Sequence, residues 1–377
     1  MKIYKSTNVF DEALKRIRFV FDEFENIVID ISGGKDSTVI FNLAMMVAQE
    51  RGRLPLRVMW LDQEAEWQAT ADTVREIMYR PDVLPLWYQI PFRLFNATSV
   101  EEHWLNCWDP KEEARWMRPK DPISIKENVY GKDRFHDMFK AFMVHDFPSS
   151  PACHLAGVRA EESPSRAFGL TSYRTYKWAT WGKVEDKKRG HYTFYPIYDW
   201  SYTDVWKAIH CNKWPYNRIY DLMYQYGVPV SGMRVSNVHH ETAVHSLFYL
   251  QEIEPATYER LCQRISGIDM AGKMGKADYF QRTLPFMFSS WKEYRDYLLE
   301  HLFTNPKWRA GFRKKIDSQE KAYRGEYGDK LYKMQIQSIL TNDWEGIKLK
   351  NFDDAPGRCQ LRIELKEKAN AELAAEA

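Results

Sequence analysis

A run of six residues, Ser-Gly-Gly-Lys-Asp-Ser at positions 32–37, combines the groups that hold a phosphate. Glycine amides and serine hydroxyls can donate hydrogen bonds to phosphate oxygens, and Lys35 can neutralise the charge of a leaving diphosphate. Asp36 is the kind of ligand that holds Mg²⁺ beside phosphate oxygens. The order of residues differs from the G-x-x-x-x-G-K-[ST] loop, so another class of nucleotide site is predicted. The predicted nucleotide-binding residues of this phosphate loop are Ser32, Gly33, Gly34, Lys35, Asp36 and Ser37, with Asp36 as the metal ligand.

The elements around the phosphate loop follow from the hydrophobic pattern. Residues 26–31 are apolar and β-branched, which predicts a strand ending at the loop, and Asp36 can cap a helix that ends near Gly52. Strands are predicted again at 56–61 and 86–90, around a helix from Trp67 to Tyr79. This alternation predicts an α/β fold: a parallel sheet with helices on both faces. Ligands bind such sheets at the carboxyl ends of the strands, where this loop stands.

The alternation of predicted strands and helices is interrupted once and later ends. Residues 93–150 contain several prolines, tryptophans and mixed charges, which predicts an inserted, partly helical subdomain. After about residue 242 the pattern is helical. The predicted organisation is a nucleotide-binding domain at 1–240, with the insertion at about 93–150, and a helical C-terminal region at 241–377.

Three further charged residues are candidates for a site. Asp62 follows the second predicted strand, where it could instead cap the strand end. Arg159 and Arg166 lie in a polar stretch after another predicted strand, and the planar guanidinium suits tetrahedral oxyanions. Pairing of these arginines with Glu161 or Glu162 at the surface is the alternative interpretation.

The phosphate loop resembles the PP-loop of ATP pyrophosphatases. Three other stretches resemble the branch that contains phosphoadenosine-phosphosulfate (PAPS) reductases and the sulfate adenylyltransferase small subunit. Residues 61–64 with Trp67 and Thr70 are similar to Val-Asp-Thr-Gly followed by an aromatic residue and Glu-Thr, although Glu64 and Ala69 replace the Gly and the Glu. Residues 157–166 resemble Gly-x-Arg-x-x-Glu-x-x-Ser-Arg, and residues 195–206 resemble Pro-[Ile/Leu] followed by Trp-[Thr/Ser]-x-x-Asp-Val-Trp.

This resemblance implies roles for the candidate residues. Lys35, Asp36 and the loop serines would handle phosphates and metal, and Asp62 would lie near the nucleotide. The implied cofactors are ATP and Mg²⁺, and the implied reaction cleaves ATP between the α- and β-phosphates and adenylylates an acceptor. The predicted catalytic residues are Lys35, Asp36, Arg159 and Arg166.

Two alternatives stay open. One is a PAPS or adenylylsulfate reductase that binds a sulfonucleotide and uses Cys359. The Arg-Cys-Gln context of Cys359 lacks the Glu and His that flank the reductase cysteine, which disfavours thiol reduction. The other is a transcriptional co-activator, because the long C-terminal extension resembles the prophage-associated immunoglobulin-binding-regulator A group, which works with a ParB-like partner.

Composition narrows the remaining classes. Lys and Arg total 54 against 52 for Asp and Glu, so a nucleic-acid partner is neither required nor excluded. The basic, aromatic-containing segment 307–315 could supply phosphate contacts and base stacking, and the alternative is a solvated helical face, since basic residues are interleaved with acids in residues 316–321. Five scattered cysteines without a C-x-x-C pair fit a reducing, cytoplasmic environment. Neither a leader nor a stretch of about 18 apolar residues is found, which predicts no membrane association.

His240 and His245 are five residues apart, which disfavours a helical zinc site.

Overall fold

The computed structural model describes residues 6–99, 101–171, 174–235, 237–240, 246–273, 283–303, 305–323, 328–343, 346 and 349. The helices are α1 (Val9–Glu23), α2 (Lys35–Glu50), α3 (Gln68–Met78), α4 (Phe135–Asp146), α5 (Pro164–Thr171), α6 (Tyr202–Asn212), α7 (Ile219–Tyr226), α8 (Leu247–Ile253), α9 (Pro255–Arg264), α10 (Ile268–Lys273), α11 (Trp291–His301), α12 (Pro306–Tyr323) and α13 (Gly328–Leu340). The strands are β1 (Asn26–Asp30), β2 (Leu56–Leu61), β3 (Val83–Tyr88), β4 (Phe92–Phe95), β5 (Trp104–Cys107), β6 (Ala152–Leu155), β7 (Gly182–Asp186) and β8 (His191–Phe194). Short 3₁₀ turns lie at Pro110–Arg115, Ala160–Glu162 and Val230–Gly232.

Six strands form one sheet in the order β3-β2-β1-β6-β8-β7. All neighbouring pairs are parallel except β7 with β8, which are antiparallel. Strands β4 and β5 form a separate two-stranded sheet. The predicted α/β fold with a mostly parallel sheet is therefore confirmed, and so is the helical character of the described C-terminal region.

The apolar pattern explains the packing of the first strands and helices. Helix α1 begins after Asn8, whose side chain accepts a hydrogen bond from the Asp11 amide, and its apolar stripe is buried. The stripe packs with Ile27 and Ile29 of β1 and with the apolar side of α2 in one hydrophobic core. This core holds the start of α2 against the end of β1, which is where the phosphate loop lies.

The order in which strands are added to the sheet reverses at β1. Strand β1 pairs with β2 on one side and with β6 on the other, while the chain proceeds from β1 to β2 and β3 before it returns to β6 and β8. The carboxyl ends of β1 and β6 therefore border the crevice in which open α/β sheets bind ligands.

The chain forms two compact units that alternate along the sequence. The first comprises residues 1–94, 106–238 and 249–264, and the second comprises residues 95–105, 239–248 and 265–377. The functional boundary at residues 240 and 241 stays a prediction. None of the described helices has both the length and the apolar character needed to cross a membrane.

Candidate functional site

The phosphate loop is held in shape by side chains from distant elements. Gly33 has a φ of +68°, a backbone conformation that glycine adopts without a steric penalty. A Cβ atom on Gly33 would lie 2.6 Å from Cγ2 of Thr70, so α3 leaves no room for a side chain. The side-chain amide of Asn217 donates hydrogen bonds through Nδ2 to the Gly33 carbonyl (3.1 Å) and to the Thr70 hydroxyl (2.8 Å). Loop, α3 and the segment before α7 are thus joined around one glycine.

Hydrogen bonds within the loop orient its two serines differently. The Ser37 hydroxyl donates to the Gly34 carbonyl at 2.9 Å and accepts from the Ser32 amide at 3.2 Å. Ser37 is buried, whereas Ser32 is exposed. Ser32 is therefore the loop serine that is open to a ligand, and Ser37 stabilises the turn.

The start of α2 is bordered by Tyr220 and Gly157. The Lys35 amide donates to the Tyr220 hydroxyl at 3.0 Å, and burial raises the pKa of Tyr220, which keeps the phenol protonated. A Cβ atom on Gly157, beyond the end of β6, would lie 2.7 Å from the Asp36 carbonyl carbon. The backbones on either side of the crevice therefore approach each other closely at the first turn of α2.

Asp36 lies between two cations. Its Oδ2 accepts from Lys35 Nζ at 2.8 Å, and its Oδ1 accepts from Arg159 Nε at 2.5 Å. Arg159 is only 5% exposed, and its Nη1 also pairs with Glu161 at 3.0 Å. The predicted phosphate loop and the predicted Arg159 are thus brought together, and the pairing with Glu161 that was weighed as an alternative occurs as well.

Arg166 and Arg234 add further positive charge beside the contacts of Lys35, Asp36 and Arg159. Arg166 pairs with Glu162, and about half of its side chain is exposed. Burial, and then the charges of Arg234 and Arg159, lower the pKa of Arg166. Arg234 is exposed and forms no ion pair with any residue that the structure describes. We refer to Lys35, Asp36, Arg159, Arg166 and Arg234 as the loop cluster.

The loop cluster has a limited capacity for a metal ion. No group of three or more His, Cys, Asp or Glu side chains able to hold a metal occurs among the described residues. Asp36 is the loop carboxylate, and both of its oxygens already accept from cations. Mg²⁺ is commonly bound by one or two carboxylates together with substrate phosphates, and this donor set fits that arrangement rather than a protein cage.

Asp62 lies in a second, buried group of charges. One of its carboxylate oxygens accepts from Trp87 Nε1 (3.0 Å) and Gln89 Nε2 (2.9 Å). The other accepts from the Glu64 backbone amide (2.9 Å) and Arg118 Nη2 (2.5 Å). Asp62 is fully buried. Its hydrogen-bond partners belong to the β2–α3 segment, the β3 end and the insertion, so its predicted role beside the nucleotide stays a prediction.

Glu64 occupies the position of the glycine in the related motif, and its φ of +62° lies in the left-handed region. Its carboxylate accepts from Arg264 Nε at 2.6 Å and from the Trp108 amide at 2.7 Å. Both charged side chains are almost fully buried. This ion pair joins the end of β2 to the last residue of α9.

Glu66 completes the group. It is 3% exposed, and burial, followed by the charge of Asp62, raises its pKa to about 8. With Glu66 protonated, the negative charges of Asp62 and Glu64 balance the positive charges of Arg118 and Arg264. We refer to Asp62, Glu64, Glu66, Arg118 and Arg264 as the buried cluster.

One histidine and two cysteines, residue types that can do chemistry, are buried in the structure. His239 is buried, and its Nδ1 lies 3.0 Å from the Phe95 carbonyl oxygen. Burial raises the pKa of the Cys107 and Cys153 thiols, so neither is activated as a thiolate. Cys359 and His245 lie outside the described residues.

Sequence reasoning missed Tyr220, Asn217 and Arg234. Each is a single polar residue without a local pattern. Tyr220 and Asn217 reach the phosphate loop from more than 180 positions away, and Arg234 lies near enough to Arg166 for its charge to act on that residue. The Trp-x-x-x-x-x-x-x-Trp-Pro-Tyr-Asn stretch that contains Asn217 gave one indirect hint, because asparagine at a turn often fixes a neighbouring backbone group.

Comparison with known proteins gives two family matches. The model described as the phosphoadenosine phosphosulfate reductase domain matches residues 26–226, and a domain of unknown function, DUF3440, matches residues 227–363. The chain is similar to the uncharacterized protein YbdN of Escherichia coli (strain K12), with 28% identity over 80% of this chain and 78% of YbdN. It is also similar to sulfate adenylyltransferase subunit 2 of Mycobacterium bovis (strain BCG / Pasteur 1173P2), with 25% identity over 52% of this chain. The match spans 59% of that subunit.

Two solved structures show a more distant similarity. A phosphoadenylyl-sulfate reductase from Candida auris, in a phosphate complex, is 15% identical, and the match covers 59% of this chain and 94% of that chain with a TM-score of 0.32. An FMN adenylyltransferase from Candida glabrata, in complex with FMN and the ATP analog AMPCPP, is 15% identical over 58% of this chain and 64% of that chain, with a TM-score of 0.36.

Proposed function

The chain belongs to the phosphoadenosine phosphosulfate reductase domain family, and on this basis we propose that it binds ATP at the phosphate loop and transfers the adenylyl group to an acceptor. The observation that carries the proposal is the chain of contacts from Lys35 through Asp36 to Arg159 at the first turn of α2. These contacts lie at the carboxyl end of β1, where the strand order of the sheet reverses. Amides at the start of a helix and nearby cations favour the phosphates of a nucleotide.

The proposed reaction forms one bond and breaks one bond. An oxygen of the acceptor attacks the α-phosphorus, the bond from that phosphorus to the α,β-bridging oxygen breaks, and pyrophosphate leaves with the electron pair. Lys35 and Arg159 would neutralise the negative charge that develops on the pyrophosphate. Mg²⁺, when bound with the nucleotide through Asp36, would supply further charge neutralisation. Fixed positioning of the two reactants would provide much of the remaining acceleration.

ATP is preferred to a sulfonucleotide for two reasons. The phosphate loop retains the adjacent Lys35 and Asp36, which suit a triphosphate with its metal. A curated relative is named as a subunit of sulfate adenylyltransferase, which supports adenylyl transfer as the chemistry of this domain.

Product analysis tests the bond that is cleaved without knowledge of the acceptor. ATP and Mg²⁺ are incubated with the protein, with water or added candidate acceptors, and the products are followed by phosphorus NMR. Pyrophosphate with AMP or an adenylylated product is expected, and Lys35→Ala should lower its formation by about 100-fold, which is typical for loss of a charge-stabilising group. Lys207→Ala, which removes an exposed lysine of α6, should have no effect. Formation of ADP and inorganic phosphate, or equal activity of the two variants, would overturn the proposal.

A further inference from the structure

Helix α12 carries six basic and two acidic side chains along its 18 residues. Its inner side is buried through Trp308, Phe312 and Ile316. Lys307, Lys314 and Lys321 are exposed and follow one another at intervals of seven residues, which is close to two helical turns. These three lysines therefore lie along one side of the helix, which we call the lysine face.

The lysines of this face are free to meet a partner. Other charges of α12 are already used, because Arg309 and Arg313 pair with Glu300, and Glu320 pairs with Arg295. Within the described part of the chain, the three lysines form no ion pair. Asp317 is the exposed acid between Lys314 and Lys321 in the described helix, so the face keeps a net positive charge.

The shape of the face suits a long, rigid anion. Seven residues of helix advance by about 10.5 Å, so the three lysines span roughly 21 Å. Ala310, Gly311 and Ser318 lie between them, and these small residues let a wide partner approach the helix. A spacing of about 10.5 Å is close to the width of about 12 Å of the major groove of B-DNA, so neighbouring lysines can reach phosphates on its two sides.

We propose that the lysine face binds the phosphate backbone of duplex DNA. Base stacking, which the aromatic residues of this segment suggested in the sequence, is not available to Trp308 and Phe312 because both are buried. This burial disfavours a single-stranded partner. It also disfavours a membrane surface, since an interfacial helix needs its apolar side for lipid. The deep, narrow major groove of A-form RNA fits the lysine spacing less well.

Binding to a labelled DNA duplex of about 21 base pairs, two helical turns, tests the proposal by fluorescence anisotropy of the full-length protein. We expect affinity that falls steeply between about 50 and 200 mM salt. The triple variant Lys307→Gln, Lys314→Gln and Lys321→Gln should bind at least about tenfold more weakly, and the slope of log affinity against log salt should decrease by about 2 to 3, since each phosphate contact contributes about 0.9. The control removes three exposed lysines of the first unit, with Lys187→Gln, Lys188→Gln and Lys207→Gln, and should change affinity less than about twofold.

Three results would overturn the proposal. They are absence of duplex binding at about 50 mM salt, equal weakening in the two triple variants, and tighter binding to a single strand, to duplex RNA or to polyglutamate than to duplex DNA. Circular dichroism and a thermal melt of each variant establish that it is folded. Lys35→Ala should bind DNA as the wild type does, so failure of this inference and failure of the proposed adenylyl transfer are measured separately.

Discussion

The loop cluster and the buried cluster both contain acids and arginines, yet their charges are arranged in different ways. In the buried cluster, each carboxylate of Asp62 and Glu64 meets an arginine, and a protonated Glu66 keeps the group neutral. In the loop cluster, burial and then the charges of Arg234 and Arg159 lower the pKa of Arg166, and Arg234 has no acidic partner among the described residues. The other cations of the cluster pair with Asp36, Glu161 and Glu162, so one positive charge is in excess. Charges that balance inside the protein hold the fold, whereas an excess of cations at an exposed edge favours an anionic ligand.

The largest effect is expected at Glu64. Glu64→Ala leaves Arg264 and the Trp108 amide without their buried acceptor, so the free energy of unfolding should fall by about 3–5 kcal/mol. Urea denaturation followed by tryptophan fluorescence measures it. Glu64→Gly loses the same pair but relieves the left-handed backbone, so it should be more stable than the alanine variant by roughly 1 kcal/mol. A loss below about 1 kcal/mol in Glu64→Ala would show that this cluster does not hold the fold.

A smaller effect, on ligand binding and not on stability, is expected at Arg234. Arg234→Ala removes an exposed cation beside the phosphate loop and should weaken ATP binding by about tenfold, the equivalent of one charge-assisted hydrogen bond. Titration calorimetry gives the affinity, and the melting temperature should stay within error of the wild type. Arg189→Ala, in the β7–β8 hairpin, is the matched control and should bind ATP normally. Unchanged ATP affinity in Arg234→Ala would separate this residue from the loop cluster.

The smallest effect is a change in the free energy of unfolding with pH that is due to Glu66. Its folded pKa of about 8 lies above the ordinary value of 4.5, so the folded state holds the proton more tightly. The resulting stabilisation is fully present below pH 4.5 and is lost as the pH rises through 8. Between pH 6 and 7 this loss amounts to about 1 kcal/mol, and Glu66→Gln, which is neutral at every pH, should remove it.

Urea denaturation of wild type and Glu66→Gln at the two pH values provides the comparison. Equal slopes of stability against pH in the two proteins would mean that Glu66 is ionised in the folded state. The charge balance assigned to the buried cluster would then be wrong.

The sequence was informative where a pattern is local. The phosphate loop follows directly from β1 and begins α2, so its residues and both elements were predicted together. The parallel sheet followed from the alternation of strands and helices, and Arg159 from a continuous motif.

Contacts over long separations could not be read in this way. Glu64 looked like a departure from a glycine motif, and its meaning depends on Arg264, which is 200 residues away. Tyr220 and Asn217 meet the phosphate loop only in the folded chain, where α6, which precedes them in the sequence, packs with α2. The compact units also alternate along the chain, which no change in composition indicates.

Calorimetric titration of wild type and Lys35→Ala with ATP and Mg²⁺, and separately with PAPS, tests the central claim most directly. The account predicts that the wild type prefers ATP and that Lys35→Ala loses most of this affinity while it keeps its melting temperature. Preference for PAPS, with equal affinity in the two proteins, would contradict adenylyl transfer from ATP at the phosphate loop.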